Sequence, residues 1–148
     1  KKHEIFDEDL HALVSDTLQD VDEAYKLVSL EVTSKTGTTP EAKLVLSVEG
    51  VDKPVTATGS GPVDATFRAI EAVANSGTML ELYSVNAITS GTDSQGEVTV
   101  RLNQAGRIIN GHGADTDIVV ASAKAYLNAL NLMRTSSTRE HPQGVTGV

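Results

Sequence analysis

Gly59-Ser60-Gly61-Pro62-Val63-Asp64-Ala65 closes a run of strand-like sequence and opens a helix. The rest of the chain reads outward from it. Pro62 follows the second glycine, and a proline at the first helical position forfeits nothing, because its missing N–H would be unpaired there anyway. The glycines admit close approaches that a side chain would block, and the free N–H groups of such a helix start favour an anion. The pattern recurs: Gly111-His112-Gly113-Ala114-Asp115-Thr116-Asp117 also follows strand-like sequence and opens a helix. The chain therefore reads as one unit written twice.

Before the first glycine turn the apolar period is two. Val28, Leu30 and Val32 alternate with Ser29, Glu31 and Thr33, as a half-buried strand requires. Lys35–Pro40 supplies a loop, Ala42, Leu44, Leu46 and Val48 share one strand face, and Gly50 with Asp52 marks a hairpin into a third strand, Lys53–Thr58. After the turn, Val63, Phe67, Ile70 and Val73/Ala74 fall at helical spacing until Asn75-Ser76-Gly77 stops the helix. The second unit repeats the order. Met79–Thr89 reads as a strand, Ser90–Gly96 as a polar loop, and Val98, Val100 and Leu102 as one face of the next strand. Asn103–Gly106 turns the chain into a strand over Arg107–Asn110, and a closing helix, capped by Asp115 or Thr116, runs to about Met133.

That closing helix is apolar over much of its girth, which predicts burial on more than one face, inside the domain or against a second copy. Each unit is too small to bury its own apolar face. The expected fold is thus α+β, two β-β-β-α units packed about a pseudo-twofold axis, with exposed apolar helix surface and hence a homodimer. Residues 1–22 read as the end of a linker, with a short helix over Ile5–Leu18 that places Leu10, Leu13, Val14 and Leu18 on one face. Residues 23–133 form the domain, and the polar residues 134–148 read as a mobile tail.

With 148 residues the chain suits one domain. Its formal charge of −8 and its lack of a Lys/Arg cluster argue against a nucleic-acid partner. It has no cysteine, no apolar run that would span a membrane and no signal-peptide pattern. A chain that starts at Lys1 is expected to be a piece of a longer one, soluble and cytoplasmic. Chemistry is equally constrained. Asp64 and Thr116 stand where a dinucleotide fingerprint needs its third glycine, and no Lys-Ser/Thr follows to make a P-loop. His3, His11, His112 and His141 lack metal-ligand spacing, and Ser60, Ser122 and Asp117 lack triad partners. No catalytic constellation is present, and neither a cofactor nor a metal is expected in this piece. His112, between two glycines, reads as a turn residue. What the residues suit is a small zwitterion: helix N–H groups for a carboxylate, a carbonyl or Asp for an ammonium, and aliphatic walls. Taken alone, the glycine spacing favours a purely geometric role.

The paired glycine turns, the Gly-Pro pair and the closing Asp117-Ile118-Val119-Val120-Ala121-Ser122-Ala123-Lys124-Ala125-Tyr126-Leu127-Asn128-Ala129-Leu130-Asn131 together resemble the C-terminal regulatory domain of 2-isopropylmalate synthase, over about residues 23–133. Lys1–Asp22, with Phe6-Asp7-x-Asp9-Leu10-x-Ala12-Leu13, resembles the end of the linker subdomain before it. The resemblance implies a dimeric domain without catalytic activity of its own. It would sense leucine, the pathway's end product, and inhibit a distant (β/α)₈ barrel that holds a divalent metal and joins acetyl-CoA to a 2-oxo acid. It also implies effector contacts at Gly59, Gly61, Val63 and Asp64 on the turn, and at Leu80, Tyr83 and Ala87 on the following strand. Ser94 and Gly96 match the end of the loop after that strand. Asp64 departs from the small residue of some members and either meets the ammonium or caps the helix. The second glycine turn lacks the proline. Two alternatives stay open: an isoleucine-sensing domain of the related citramalate synthases, and a dimerisation module without a ligand.

Overall fold

The computed structural model describes the backbone of residues 23–90 and 93–147, with side chains over 23–86 and 95–135. The linker helix expected over Ile5–Leu18 lies outside the described residues. Six strands and two helices follow in the order β1 (Tyr25–Thr33), β2 (Glu41–Val48), β3 (Val51–Thr58), α1 (Pro62–Ala74), β4 (Met79–Ser90), β5 (Asp93–Gln104), β6 (Arg107–Asp115) and α2 (Ile118–Gly147). The strands make two antiparallel sheets, ordered β1-β2-β3 and β4-β5-β6. This is the expected α+β arrangement of two β-β-β-α units. Helix α1 lies on β2 and β3, while α2 lies on β5 and β6, touches α1 and reaches across to β1.

The two units match in their hairpins and helix starts. Each has a two-residue hairpin with left-handed backbone at both residues: Glu49 (φ 52°) with Gly50 (φ 86°), and Ala105 (φ 51°) with Gly106 (φ 93°). Such turns carry the twist that joins antiparallel strands. Asp52, expected in the first turn, instead pairs with Ser47 in the ladder. Each unit's first strand also contains a bulge, at Val28 between Leu27 and Ser29 and at Glu81 between Leu80 and Leu82. An extra residue shifts the alternation by one. Leu27, Leu30 and Val32 therefore face inward, whereas Val28, expected inside, is 53% exposed.

Extending the match beyond the hairpins relocates the second glycine pattern. Gly111 and Gly113 lie within β6, opposite Val100 and Val98, not in a strand-to-helix turn. They allow close approach: a Cβ on Gly113 would stand 2.5 Å from the Ala121 oxygen and the Ala125 nitrogen, and one on Gly111 would strike the Ala125 carbonyl and Ala129. The counterpart of Gly59-Ser60-Gly61-Pro62 is Asp115-Thr116-Asp117-Ile118. Both helices open with the same backbone bond, Ala65 N–H to Gly61 O and Ala121 N–H to Asp117 O, each 2.9 Å. His112 is accordingly a strand residue, its Nδ1 3.1 Å from Thr99 Oγ1.

The core runs continuously through both units: Leu44, Leu46, Phe67, Ala69 and Ile70 meet Val98, Val100, Leu102 and the α2 face of Ala121, Ala125, Tyr126, Ala129 and Met133. Helix α2 is buried around most of its girth because its own sheet, α1 and β1 surround it within one chain. Among the described residues none of the exposed large hydrophobics lies on a helix, so the expected exposed apolar helix surface is not found there. The helix does not end near Met133 but runs to Gly147. At the border Asn131 accepts from Tyr25 N–H and donates to Tyr25 O, both at 3.0 Å, fixing β1 to α2. The other seam is polar: the Glu71 carboxylate accepts from Tyr126 Oη (2.9 Å), Ser76 N–H (3.1 Å) and the Ser76 hydroxyl.

Candidate functional site

Helix α1 begins without a side-chain cap. Its N-cap is Gly61, in extended backbone, and Pro62 is the first helical residue. Of the first-turn N–H groups, proline has none and Ala65 is bonded to Gly61 O. The Val63 and Asp64 N–H groups are left without a capping side chain, at the positive end of the helix dipole. A Cβ on Gly61 would meet nothing within 4 Å, so the space beside the N-cap is open. Gly59 is the opposite case: a Cβ there would stand 2.5 Å from Ala65 N and 2.6 Å from Asp64 Oδ2.

Asp64 serves the turn. Its Oδ2 accepts from Ser60 N–H at 2.9 Å and from Arg68 Nε at 2.8 Å. The Ser60 N–H, and next the Arg68 guanidinium, hold its carboxyl below the ordinary aspartate value. Asp64 bonds back to the residue before the N-cap and caps none of the first-turn N–H groups of α1. In the second unit Asp117 takes the N-cap position, where Asp115 or Thr116 was expected. Its Oδ1 accepts from Val119 N–H at 2.8 Å and Val120 N–H at 3.5 Å, the counterparts of Val63 and Asp64. Asp115 stands one step back, accepting from Asp117 N–H at 3.0 Å and pairing with Lys124 at 3.0 Å. The same helix start is thus open in one unit and filled by the chain's own carboxylate in the other.

On β4 the bulge matters again. By simple alternation Leu80 and Tyr83 would face opposite ways; the extra residue at Glu81 puts both on the face of Leu102 and Val100, their partners on β5. Val85 continues this face opposite Val98, and the backbone of Ala87 pairs with Gly96. The β5 partners are buried under α2, but β4 is the outer strand. Leu80 (45%), Tyr83 (36%) and Val85 (43%) remain exposed, forming an apolar ledge. Tyr83 links the ledge to α1, since its ring stands edge-on to Phe67 at 6.0 Å and 76°. Val63 lies one helical turn before Phe67, on the same α1 face. Phe67, which the sequence marked only by its helical spacing, is the α1 residue whose ring meets the β4 ledge.

Ser94 and Gly96, expected at the end of a loop, lie in β5, where they pair with Thr89 and Ala87. Gly96 is buried, and a Cβ there would strike Ile118 at the start of α2. The side chains of Ala87 and Ser94 fall outside the described set. A cleft of about 460 Å³ lies elsewhere, lined among others by Tyr25, Lys26, His112, Lys124, Asn128 and Asn131. None of the nine expected residues lines it. Its polar groups are largely spent: Lys124 on Asp115, Asn128 on His112 N–H at 2.9 Å, and Asn131 on Tyr25. Among the described residues no cluster of His, Asp or Glu could hold a metal ion, and no helix is long and apolar enough to cross a membrane. Phe67, Val85 and Asp117, which border the ledge or the helix starts, were not among the nine expected residues. Asp117 carried a signal, an Asp immediately before a helical apolar period.

Residues 4–134 match the family described as the LeuA allosteric (dimerisation) domain. The 2-isopropylmalate synthase of Nitrosospira multiformis is 66% identical over 143 residues, and that of Nitrosomonas europaea 64% over 143. The one from Neisseria meningitidis serogroup B is 55% identical over 145 residues. Each alignment covers 97% of this chain and 28% of the relative, so the chain spans little more than a quarter of their length.

Proposed function

The chain belongs to the LeuA allosteric (dimerisation) domain family, and from that premise we propose that it is the leucine-sensing regulatory domain of a 2-isopropylmalate synthase. One observation carries the reading. The α1 start leaves the Val63 and Asp64 N–H groups uncapped beside open space, where the equivalent α2 start is closed by the Asp117 carboxylate. A ligand carboxylate at α1 would do what Asp117 does at α2. An amino acid so placed would lay its side chain along Val63 and the ledge of Leu80 and Val85. In a single chain that ledge is open; a second copy laid over β4 would wall it, so that dimerisation and binding share one surface. Apolar area of this kind, left at the edge of a sheet, marks an interaction surface.

In this reading the condensation of acetyl-CoA with a 2-oxo acid belongs to a metal-holding barrel of the parent chain, in the cytoplasm. This domain shifts the barrel's activity by binding the end product, and alone it turns over no substrate. Calorimetric titration of the chain with leucine, isoleucine and valine tests the reading, with Gly61→Asp as the variant. Leucine should bind best. Gly61→Asp should abolish binding while leaving the chain folded, because it supplies at α1 the carboxylate already present at α2. Isoleucine binding in place of leucine would support the citramalate synthase assignment, and no binding of any of the three would leave a dimerisation module.

A further inference from the structure

The 460 Å³ cleft lies between two sheet edges. β1 and β6 are outer strands of their sheets, and α2 floors the gap between them with Lys124, Leu127, Asn128, Asn131 and Leu132. Bare strand edges invite another strand, but α2 has already met these. Asn131 takes both the N–H and the carbonyl of Tyr25. Asn128 accepts from His112 N–H at 2.9 Å, and Lys124 Nζ stands 3.5 Å from the Ala114 carbonyl. What stays open is side-chain surface. Tyr25, Leu27 and Leu132 are only half-buried, and Lys26 is exposed beside them, with no ion-pair partner among the described residues. A surface of this kind suits a helix, which satisfies its own backbone and needs only a home for an apolar stripe.

The chain enters the body at this same cleft. Glu23 lines it, and the next residue, Ala24, is buried with its carbonyl accepting from Glu49 N–H at 2.8 Å. The stretch just before carries a stripe, since Leu10, Leu13, Val14 and Leu18 fall on one face of a helix over residues 5–18. The connecting residues 19–23 span at most about 18 Å when extended, and the floor from Lys124 to Leu132 is about 12 Å long. The tether therefore reaches all of it. Charge agrees, because residues 1–22 hold seven Asp and Glu against two Lys, opposite in sign to Lys26. The family match begins at residue 4, so this segment travels with the domain. The other end of the chain is committed elsewhere: α2 continues as helix to Gly147, carrying the last residues onward along its own axis and off the floor.

We propose that the cleft between β1, β6 and α2 is the seat of the chain's own segment 5–18, which lays its leucine-valine stripe on Tyr25, Leu27 and Leu132 with its acidic flank beside Lys26. The inference stands apart from the amino-acid reading, since it concerns how the domain is held to the segment before it. The seat lies on α2, the helix that touches α1 and reaches across to β1. What precedes the domain would thus grip it at the element both units share, and not at the α1 start or the β4 ledge.

The chain has no cysteine, so one nitroxide can be placed at Ser15→Cys, off the stripe, in the isotope-labelled 148-residue chain. Amide NMR intensities with the nitroxide oxidised and then reduced locate the segment. The His112, Lys124 and Asn128 amides should lose intensity about threefold or more. Adding Leu13→Asp and Val14→Asp should restore most of it while signals elsewhere keep their positions, and Lys26→Glu alone should restore part. Broadening that the stripe substitutions leave unchanged would reflect the tether alone and overturn the proposal. So would broadening strongest at Leu80–Val85. In a mixture of nitroxide-bearing chain without isotope and isotope-labelled chain without nitroxide, the cleft amides should keep their intensity. Broadening there would give the seat to a second copy and overturn the assignment to the chain's own segment. None of these outcomes bears on leucine binding, which its own titration decides.

Discussion

The two glycines of the organising turn do different work. Gly59 has backbone and carboxylate against the position a Cβ would take, whereas Gly61 faces open space. Gly59→Ala should therefore destabilise the chain by about 1–3 kcal/mol, the range for forced overpacking, read as a shifted midpoint in denaturant. Gly61→Asp should do the reverse and raise stability by about 0.5–2 kcal/mol, the range seen for N-cap side chains. A stabilised Gly61→Asp that still binds leucine would separate the turn from the ligand. Acid behaviour follows from Asp64, whose folded-state value lies below the ordinary 3.8 because Ser60 N–H and Arg68 favour the carboxylate. A depressed acid contributes stability above its unfolded value and loses it as pH falls through the folded one. Stability should thus decline below about pH 4, and less steeply in Asp64→Asn, as thermal melts across that range would read. The first glycine turn was legible because proline at a helix start has one physical meaning. The second misled because glycine spacing alone cannot distinguish a turn from a strand that a helix crosses closely, which is the setting of Gly111 and Gly113.

At the scale of elements, α1 and the strand order were readable from period and punctuation, Asn75 included: it ends α1 in left-handed backbone with its N–H on Glu71 O. The bulges were not. A single extra residue at Val28 or Glu81 leaves no mark on composition, yet it reverses which side chains face inward. It is the bulge at Glu81 that aligns Leu80 with Tyr83 and Val85 and so makes β4 an apolar ledge. If a second copy covers that ledge, Val85→Glu should convert a dimer into a folded monomer in sedimentation runs at micromolar concentration. Val28→Glu, on the exposed bulge of the other unit, should leave the dimer intact. Dimers from both variants would move the interface off β4. The closing helix, whose apolar girth left burial inside the domain or against a second copy open, packs on its own sheet, α1 and β1, since girth alone does not say which neighbours fill it.

Across the molecule the two units share one core and are joined by the Asn131–Tyr25 pair and by the Glu71 carboxylate with its hydroxyl donors. Burial pushes the Tyr126 hydroxyl well above its ordinary value, so it stays protonated and donates to Glu71. Tyr126→Phe removes that donor and should cost about 1.5–3 kcal/mol, as for hydrogen bonds to charged groups, with an unchanged denaturant slope because the units still unfold together. A second transition would show instead that they separate. The two near-repeats differ at the helix start, which is open at Gly61 and closed by Asp117. The central claim, that the ligand carboxylate binds at the open start, is tested most directly by amide NMR shifts during a leucine titration. The account predicts that the Val63 and Asp64 amides move strongly while Val119 and Val120, already bonded to Asp117, stay in place. Equal movement at both starts, or movement confined to Val119 and Val120, would contradict it.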